Sequence, residues 1–297
     1  MFNQKKSIHK LLQILFLMCV SSLSAFADFS GWPTIEKDRW ATLSLSEVRS
    51  ILDSGANVNA RDTDGISPIM GAAAFNENPA IVSLLIERGA DVNAHSSAGI
   101  TALLVAAGNN PNPQICSLLL ENGAEVNAST AEKITPLMMA AAYRQETAIL
   151  SLLLEHGAEV DYRNKEGETA LIAAARSNPN PEIIAMLLDH GADIDARANR
   201  SHSPLLVAAV MNNSAEIVSL LLERGADVNS RHTDGKTLLM ITAEITQNPQ
   251  IVSLLLNHGA DPNITHFNGQ TAWDFAQRNQ NLRNTDAYWQ LNNARFE

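Results

Sequence analysis

A Gly-Ala pair recurs along this chain of 297 residues at a constant interval. Its glycines lie 34 residues apart, at Gly55, Gly89, Gly123, Gly157, Gly191, Gly225 and Gly259. A constant period of this length, with no heptad pattern, is typical of a solenoid in which similar units stack on their neighbours. Because a solenoid has no single central core, we expect a long exposed surface instead of a catalytic cavity. The period therefore favours binding over catalysis.

One unit, residues 67–94, reads as two helices followed by a loop. Ser67-Pro68 opens an alanine-rich apolar segment, and proline suits the first turn of a helix. Asn78-Pro79 begins a second helix, with asparagine as the N-cap. Gly89 ends that helix, because the left-handed conformation required there penalises any residue with a Cβ. The sequence therefore predicts an all-α array of helix pairs.

Residues 64–94, DGISPIMGAAAFNENPAIVSLLIERGADVNA, resemble the ankyrin repeat in the glycine turn, the T-P-L-type opening, the paired alanines and the closing G-A-D-V-N. The resemblance implies helix–turn–helix repeats joined by β-hairpin loops, stacked into a curved solenoid with terminal caps. Two features depart from the family. The period is 34 instead of the usual 33, with the additional residue between the two helices. The histidine that follows T-P-L is replaced by apolar residues at Met70, Leu104, Met138, Ile172, Leu206 and Met240.

The repeat pattern predicts how the chain is divided. Residues 62–265 would form six repeats, residues 28–61 an N-terminal capping half-repeat and residues 266–297 a C-terminal capping repeat. Caps are expected because the end faces of a solenoid cannot remain apolar. All four tryptophans fall in these terminal segments, at Trp32, Trp40, Trp273 and Trp289.

Residues 1–27 have the features of a cleaved secretory signal peptide. Three lysines precede an apolar run at 11–20, and Ala25-Phe26-Ala27 fits an A-x-A cleavage site. We expect cleavage between Ala27 and Asp28 and a periplasmic or secreted protein of bacterial origin. Ten apolar residues are too few to cross a bilayer, so no integral membrane anchor is expected after cleavage. Lipoprotein processing at Cys19 is an alternative that the preceding Met18 fits poorly.

The net charge indicates the class of partner, and the cysteine content shows whether a disulfide can form. The net charge of −11 would fall to −14 once the three lysines of the signal peptide are removed. An acidic protein is repelled by nucleic acid and by anionic lipid, so we expect a protein partner and no nucleic acid. Cys116 would then be the single cysteine, which excludes an internal disulfide. It occupies an apolar position of the second helix, where a small core residue is the simpler interpretation and a reactive thiol the alternative.

Two sets of equivalent loop positions suggest contact surfaces. The residue before the first helix is isoleucine at Ile66, Ile100 and Ile134, and the family places this position outward, so an apolar strip flanked by Phe75 and Tyr143 is one interpretation. Exposed apolar clusters of this kind mark interfaces. The alternative is that these side chains pack inward as core.

The second set is basic and holds Arg163, Arg197 and Arg231 on consecutive loops. Each loop runs from the position equivalent to Arg163 to the residue before the first helix. Together these loops carry eight Lys or Arg and six Asp or Glu, whereas acidic residues recur at the ends of the second helices. A basic edge would orient an acidic partner. The alternative is that arginine is simply tolerated in solvated loops.

The remaining loop and histidine positions carry no clear chemistry. Lys133 and Ser201 replace a recurrent turn glycine, and we expect local rearrangement there. Three histidines precede the glycines that end second helices, where a cation suits the helix dipole: His156, His190 and His258. His232 and His266, on adjacent loops without carboxylates alongside, make a weak metal site. No catalytic motif occurs in its required context, so no catalytic residue, metal ligand or cofactor is predicted.

The sequence therefore predicts a monomeric, non-enzymatic scaffold that acts in the cell envelope by stoichiometric protein–protein interaction, through its concave face and hairpin tips. The predicted partner-binding residues are Ile66, Phe75, Ile100, Ile134, Tyr143, Arg163, Arg197 and Arg231. The alternatives are a secreted effector that binds a host protein, an immunity or protective partner of an envelope enzyme, a spacer without a specific partner, and an enzyme with its site on a cap or on the array surface.

Overall fold

The computed structural model describes residues 31–32 and 37–296, and the predicted signal peptide with its cleavage site lies outside the described residues. The described chain is helical and contains no β-strand, which confirms an all-α repeat solenoid. The expected hairpins are tight turns, and backbone pairing is limited in this range to isolated bridges, His95 with Thr101 and Arg231 with Thr237. No helix in the described range is both long and apolar enough to cross a membrane.

The chain divides into two compact units, Met1–Glu159 and Val160–Glu297. In the N-terminal unit, first helices pack on first helices and second helices on second helices, so that two rows form. The first helices of this unit are α1 Lys37–Thr42, α3 Pro68–Phe75, α5 Ala102–Asn109 and α7 Pro136–Tyr143. The second helices are α2 Leu45–Asp53, α4 Pro79–Glu87, α6 Pro113–Glu121 and α8 Ala148–Glu155.

The C-terminal unit repeats the same two rows. Its first helices are α9 Ala170–Ser177, α11 Pro204–Val207, α13 Leu238–Ile245 and α15 Ala272–Ala276, and a π-helical segment, Ala208–Asn212, continues α11. Its second helices are α10 Pro181–Asp189, α12 Ala215–Glu223, α14 Pro249–Asn257 and α16 Asp286–Asn293. A short 3₁₀ helix, Asn199–Ser201, lies in the loop before α11.

The ends of the second helices follow the sequence signals. The side chain of Asn78 accepts a hydrogen bond from the backbone N–H of Ala80 at 3.1 Å, and Pro79 occupies the first turn. At the other end Gly89 has φ +87°, and the N–H of Ala90 donates to the carbonyl of Leu85 at 2.9 Å. The predicted N-cap and left-handed C-terminal glycine are confirmed.

The short link between the two helices of a repeat holds a buried asparagine that joins neighbouring repeats. Nδ2 of Asn76 donates to the carbonyls of Trp40 at 2.8 Å and Leu43 at 2.9 Å. Nδ2 of Asn110 donates in the same way to Ala73 and Asn76, both at 2.9 Å. Carbonyls at a helix end have no partner within the helix. The asparagine amide satisfies these carbonyls where water cannot reach them.

The C-terminal unit contains the same arrangement. Nδ2 of Asn212 donates to the carbonyl of Asn178 at 2.8 Å, and Nδ2 of Asn279 donates to that of Thr246 at 3.0 Å. These asparagines lie in the region where the 34-residue repeat carries its additional residue. Asn76, Asn110, Asn178 and Asn212 follow the 34-residue step, whereas Arg144 and Thr246 interrupt it and Asn279 lies one residue before it. The contacts that explain the asparagines cross from one repeat to the next.

Aromatic side chains pack at both ends of the described chain. Trp40 is fully buried against Gly71, where an added Cβ would lie 2.6 Å from the indole ring. Nε1 of Trp32 donates to the carbonyl of Asn57 at 2.9 Å. In the last repeat, the rings of Trp273 and Tyr288 are 4.5 Å apart. The limits proposed for the caps stay predictions.

The two loops that lack the turn glycine keep the turn. Lys133 has φ +60° and Ser201 φ +59°, the left-handed region that glycine occupies in the other loops. The N–H of Lys133 donates to Thr130 at 2.8 Å, and Gly65 makes the same bond to Asp62 at 3.0 Å. The turn and its hydrogen bond are therefore kept with a side chain present, and the expected rearrangement does not occur at Lys133. At Ser201 the local difference is the 3₁₀ helix Asn199–Ser201.

Candidate functional site

The isoleucine column belongs to the core. Ile66, Ile100 and Ile134 are 0, 4 and 3% exposed. The interpretation of these residues as an exposed apolar strip is therefore wrong, and the alternative of inward packing is confirmed. Their side chains cannot contact a partner of the folded chain.

The backbone N–H of each isoleucine donates a hydrogen bond within its own loop. The N–H of Ile66 donates to Oδ1 of Asp62 at 2.8 Å, and the N–H of Ile100 donates to Oγ of Ser96 at 3.1 Å. The side chain four residues earlier thus fixes the backbone in a direction that points the isoleucine beneath the first helix. Phe75 and Tyr143 are half-buried at the ends of α3 and α7 and stay candidate contacts.

In the C-terminal unit the same column holds charged residues. Glu168 and Arg176 form a buried ion pair, with side chains 5% and 1% exposed. Two repeats later the signs are reversed, and Nζ of Lys236 lies 2.5 Å from Oε2 of Glu244. The same Nζ stands 4.5 Å from the centroid of the Phe275 ring, within range of a cation–π interaction. These charges are therefore used within the fold.

The predicted arginines lie on the exterior of the C-terminal unit. Arg163 and Arg231 are exposed, and Arg197 is half-buried. Nη1 of Arg163 donates to the carbonyl of Gly167 at 3.1 Å and to that of Arg197 on the next loop at 2.8 Å. Nη1 of Arg231 donates to the carbonyl of Gly235 at 3.0 Å. Backbone carbonyls thus fix the direction of these two guanidinium groups.

Arginines at the ends of second helices behave differently. Arg88 lies 2.8 Å from a carboxylate oxygen of Asp53, and Arg224 lies 2.7 Å from one of Asp189. By contrast, none of the three loop arginines forms an ion pair with a residue that the structure describes. Their positive charge is therefore left to the solvent in an otherwise acidic chain.

Histidines extend this exterior between the loops. The rings of His202 and His232 stack with their centroids 6.0 Å apart, and Nδ1 of His232 lies 3.0 Å from Oδ1 of Asp234. Burial alone would raise the pKa of Asp234, but hydrogen bonds from the N–H of Lys236 and from His232 hold it below the usual value. Asp234 therefore stays ionised beside the stacked rings.

Phe267 occupies the tip of the last loop and is 81% exposed. The neighbouring His266 ring is 5.0 Å away, and its Nε2 lies 2.9 Å from the carbonyl of Asp234 on the preceding loop. Phe267 was not among the residues predicted from the sequence. Its signal was an aromatic residue at a tip position where the other loops carry no aromatic side chain. We name these residues together the basic loop surface: Arg163, Arg197, His202, Arg231, His232 and Phe267.

The other histidines and the cysteine have structural roles. The histidines that end second helices place Nδ1 close to the carbonyl four residues earlier, at 2.8 Å for His156, 2.8 Å for His190 and 2.9 Å for His258, which confirms the capping interpretation. Cys116 is fully buried, and burial raises the pKa of its thiol to about 12, which confirms a core residue. Among the described residues, no three His, Cys, Asp or Glu side chains are grouped as a metal site would require.

A surface groove of about 390 Å³ lies between α4 and α6. Two of its lining serines donate to glutamates of their own helices, Ser83 to Glu87 at 3.3 Å and Ser117 to Glu121 at 2.7 Å. Its polar groups therefore stabilise the helices that carry them, and the basic loop surface is the better candidate site.

Comparisons with known proteins agree with this architecture. A family model described as ankyrin repeats in three copies matches residues 42–130, 109–198 and 205–288, and one described as ankyrin repeats in many copies matches residues 175–222. The crystal structure of the human ASB11 ankyrin repeat domain is similar, with 27% identity, a TM-score of 0.65 and coverage of 77% of this chain and 98% of that chain. No similarity to a curated protein sequence was found.

Ankyrin repeats generally mediate protein–protein interaction and are a non-enzymatic scaffold. The fold is shared by 603 chains of solved structures, so the fold by itself does not choose a partner. The ranges matched by the first family model together extend over more than half of the sequence. The chain therefore belongs to the ankyrin-repeat family.

Proposed function

We propose that this chain is exported and acts in the cell envelope as a non-enzymatic scaffold that binds one protein partner in a stoichiometric complex. Export is supported by the order of charged, apolar and small residues in the first 27 positions. Binding is supported by the family and by the basic loop surface. The proposed contact surface is the basic loop surface, because the isoleucine residues are buried.

One observation carries the proposal. The three loop arginines have no carboxylate partner in the described part of the chain, although the protein has 32 acidic and only 21 basic residues. A chain with so many carboxylates could pair these guanidinium groups internally, as it pairs Arg88 and Arg224. Aromatic residues and arginine are enriched at the energetic centres of interfaces. Arg163 and Arg231 with the exposed Phe267 supply both kinds of group.

The proposal is tested by chemical crosslinking in cells that produce a tagged chain. A variant with Arg163, Arg197 and Arg231 changed to Gln should lose one discrete crosslinked complex. The matched control changes Arg88, Arg224 and Arg278 to Gln, which alters the net charge equally but leaves the loops intact. The control should keep the complex.

Two results would overturn the proposal. One is a crosslinked complex that survives the change of the loop arginines, and the other is the absence of any discrete complex from the unmodified chain. Export is tested separately by the mass of the purified protein, whose first residue should be Asp28; an uncleaved chain in the cytoplasm would contradict it.

A further inference from the structure

We propose that the basic loop surface binds an acidic segment in the polyproline II conformation, with a carboxylate at every third residue. This inference rests on the proposed function and names the chemistry of the partner. It is carried by the charge of the loops, by the direction of the arginines and by the spacing of consecutive loops.

The charge is concentrated in one unit. The loops 163–168, 197–202 and 231–236 hold six basic and three acidic residues, whereas the loops 61–66, 95–100 and 129–134 hold two basic and three acidic residues. Within these three loops Glu168 is paired with Arg176 and Lys236 with Glu244. The remaining residues of the loops, five basic and two acidic, keep the same excess of positive charge. Such a surface attracts carboxylates.

Two of the three arginines, Arg163 and Arg231, are also oriented before any partner arrives. Both hydrogen bonds of Arg163 engage Nη1, and the residue is exposed. Arg231 is exposed and is held through Nη1 by one hydrogen bond. A guanidinium group matches a carboxylate with two parallel hydrogen bonds. Because their direction is already fixed, less conformational freedom is lost on binding.

Spacing selects the conformation of the bound segment. Equivalent positions on packed helical repeats lie about 8–10 Å apart. In a β-strand, neighbouring side chains on one face are two residues, or about 6.6 Å, apart, and those four residues apart are separated by about 13 Å. Neither distance matches the spacing of the repeats. A polyproline II segment has three residues per turn and rises about 3.1 Å per residue, which places every third side chain on one face at about 9.3 Å. This value falls within the range of the repeats.

An α-helix is the nearest competitor. Side chains seven residues apart lie on one face of a helix at about 10.5 Å, slightly beyond the expected spacing. The loop after the arginines adds an argument for polyproline II, because it carries no charged residue and exposes Phe267 at its tip. Aromatic side chains receive proline rings where proteins bind polyproline II segments. The segment should therefore continue past its last carboxylate with proline.

The test measures fluorescence anisotropy of labelled peptides with the exported chain at low ionic strength. The first peptide is Glu-Pro-Pro-Glu-Pro-Pro-Glu-Pro-Pro-Pro. The second has the same composition with its three glutamates adjacent, and the third is a helix-forming peptide with glutamates seven residues apart. A short oligothymidylate serves as a polyanion without carboxylates.

We expect the first peptide to bind about tenfold more tightly than each of the others, a difference of about 1.4 kcal/mol. Arg197→Gln and Phe267→Ala should each weaken its binding several-fold, while the control at Arg88, Arg224 and Arg278 should leave it unchanged. The urea midpoint of each variant shows that loss of binding is not loss of folding.

Equal binding of the adjacent-glutamate peptide, or tighter binding of the helical peptide or the oligothymidylate, would overturn the inference. Failure of the peptides together with an arginine-dependent crosslinked complex would reject this inference and leave the proposed function intact. Absence of any discrete crosslinked complex from the unmodified chain would reject the proposed function.

Discussion

Nη1 of Arg163 donates a hydrogen bond to the carbonyl oxygen of Arg197 on the next loop, at 2.8 Å. This bond joins two residues of the same column across one repeat. Arg61 makes the equivalent bond to the carbonyl of His95 in the N-terminal unit, also at 2.8 Å. The arginine column therefore stabilises the packing of loops and at the same time presents charge to the solvent.

Substitution of a core isoleucine should destabilise the fold. Ile100→Ala should lower the free energy of unfolding by about 2–5 kcal/mol, because it opens a cavity in a packed interior. Phe267→Ala should change it by less than about 0.5 kcal/mol, since that side chain is exposed. Urea unfolding followed by circular dichroism measures both. Equal stability of Ile100→Ala and the unmodified chain would place the isoleucine on the surface.

Asn110, in the link between the two helices of its repeat, should contribute about as much to the free energy of unfolding as a core isoleucine. Asn110→Ala removes three hydrogen bonds, because Oδ1 of Asn110 also accepts one from the N–H of Asn112. It leaves the carbonyls of Ala73 and Asn76 buried without the amide donor. Each unsatisfied buried group costs about 1–3 kcal/mol. Asn122→Ala is the control, because Asn122 is exposed and bonds only within its own helix end. If both variants unfold at the same urea concentration, the amide does not join the repeats.

Replacing both residues of the buried ion pair should preserve stability, whereas removing only one of the two charges should destabilise the fold. Glu168→Gln leaves the Arg176 charge buried without its carboxylate and should cost about 3–5 kcal/mol. Changing Glu168 to Ile together with Arg176 to Ala copies Ile134 and Ala142 of the preceding repeat. The double variant should be about as stable as the unmodified chain. A double variant as unstable as the single one would show that this position requires charge.

Cys116 should be unreactive until the chain unfolds. With a thiol pKa of about 12, the reactive thiolate is a minor form at pH 8, and the side chain is also inaccessible. Iodoacetamide at pH 8 should therefore label the native protein slowly and the protein in urea rapidly. Rapid labelling of the native chain would contradict the burial of this residue.

The sequence predicted the helices well because their signals are local. Asn78-Pro79 and Gly89 set the ends of a second helix through contacts within a few residues of themselves. The burial of Ile66 could not be predicted in the same way. Its hydrogen bond to Asp62 spans only four residues, but the local sequence does not show which side of the loop the fold covers. The role of Asn110 depends on carbonyls of the preceding repeat, more than thirty residues away in sequence.

The candidate site was predicted in part. The arginines were identified from their recurrence, but their bonds to backbone carbonyls follow from the packing of neighbouring loops. Phe267 could not be predicted from recurrence, because no other loop carries an aromatic residue at its position. Its side chain is 81% exposed, and it became a candidate contact once the structure placed it in the same unit as the basic loops.

Site-specific photocrosslinking tests most directly whether the basic loop surface binds a protein partner. Benzoylphenylalanine is introduced at Phe267 in one chain and at Asn122, on the exposed end of a second helix, in another. After irradiation of cells, the chain labelled at Phe267 should give one discrete crosslinked product, and the product should disappear when Arg163, Arg197 and Arg231 are changed to Gln. A product from Asn122 alone, or none from Phe267, would contradict the account.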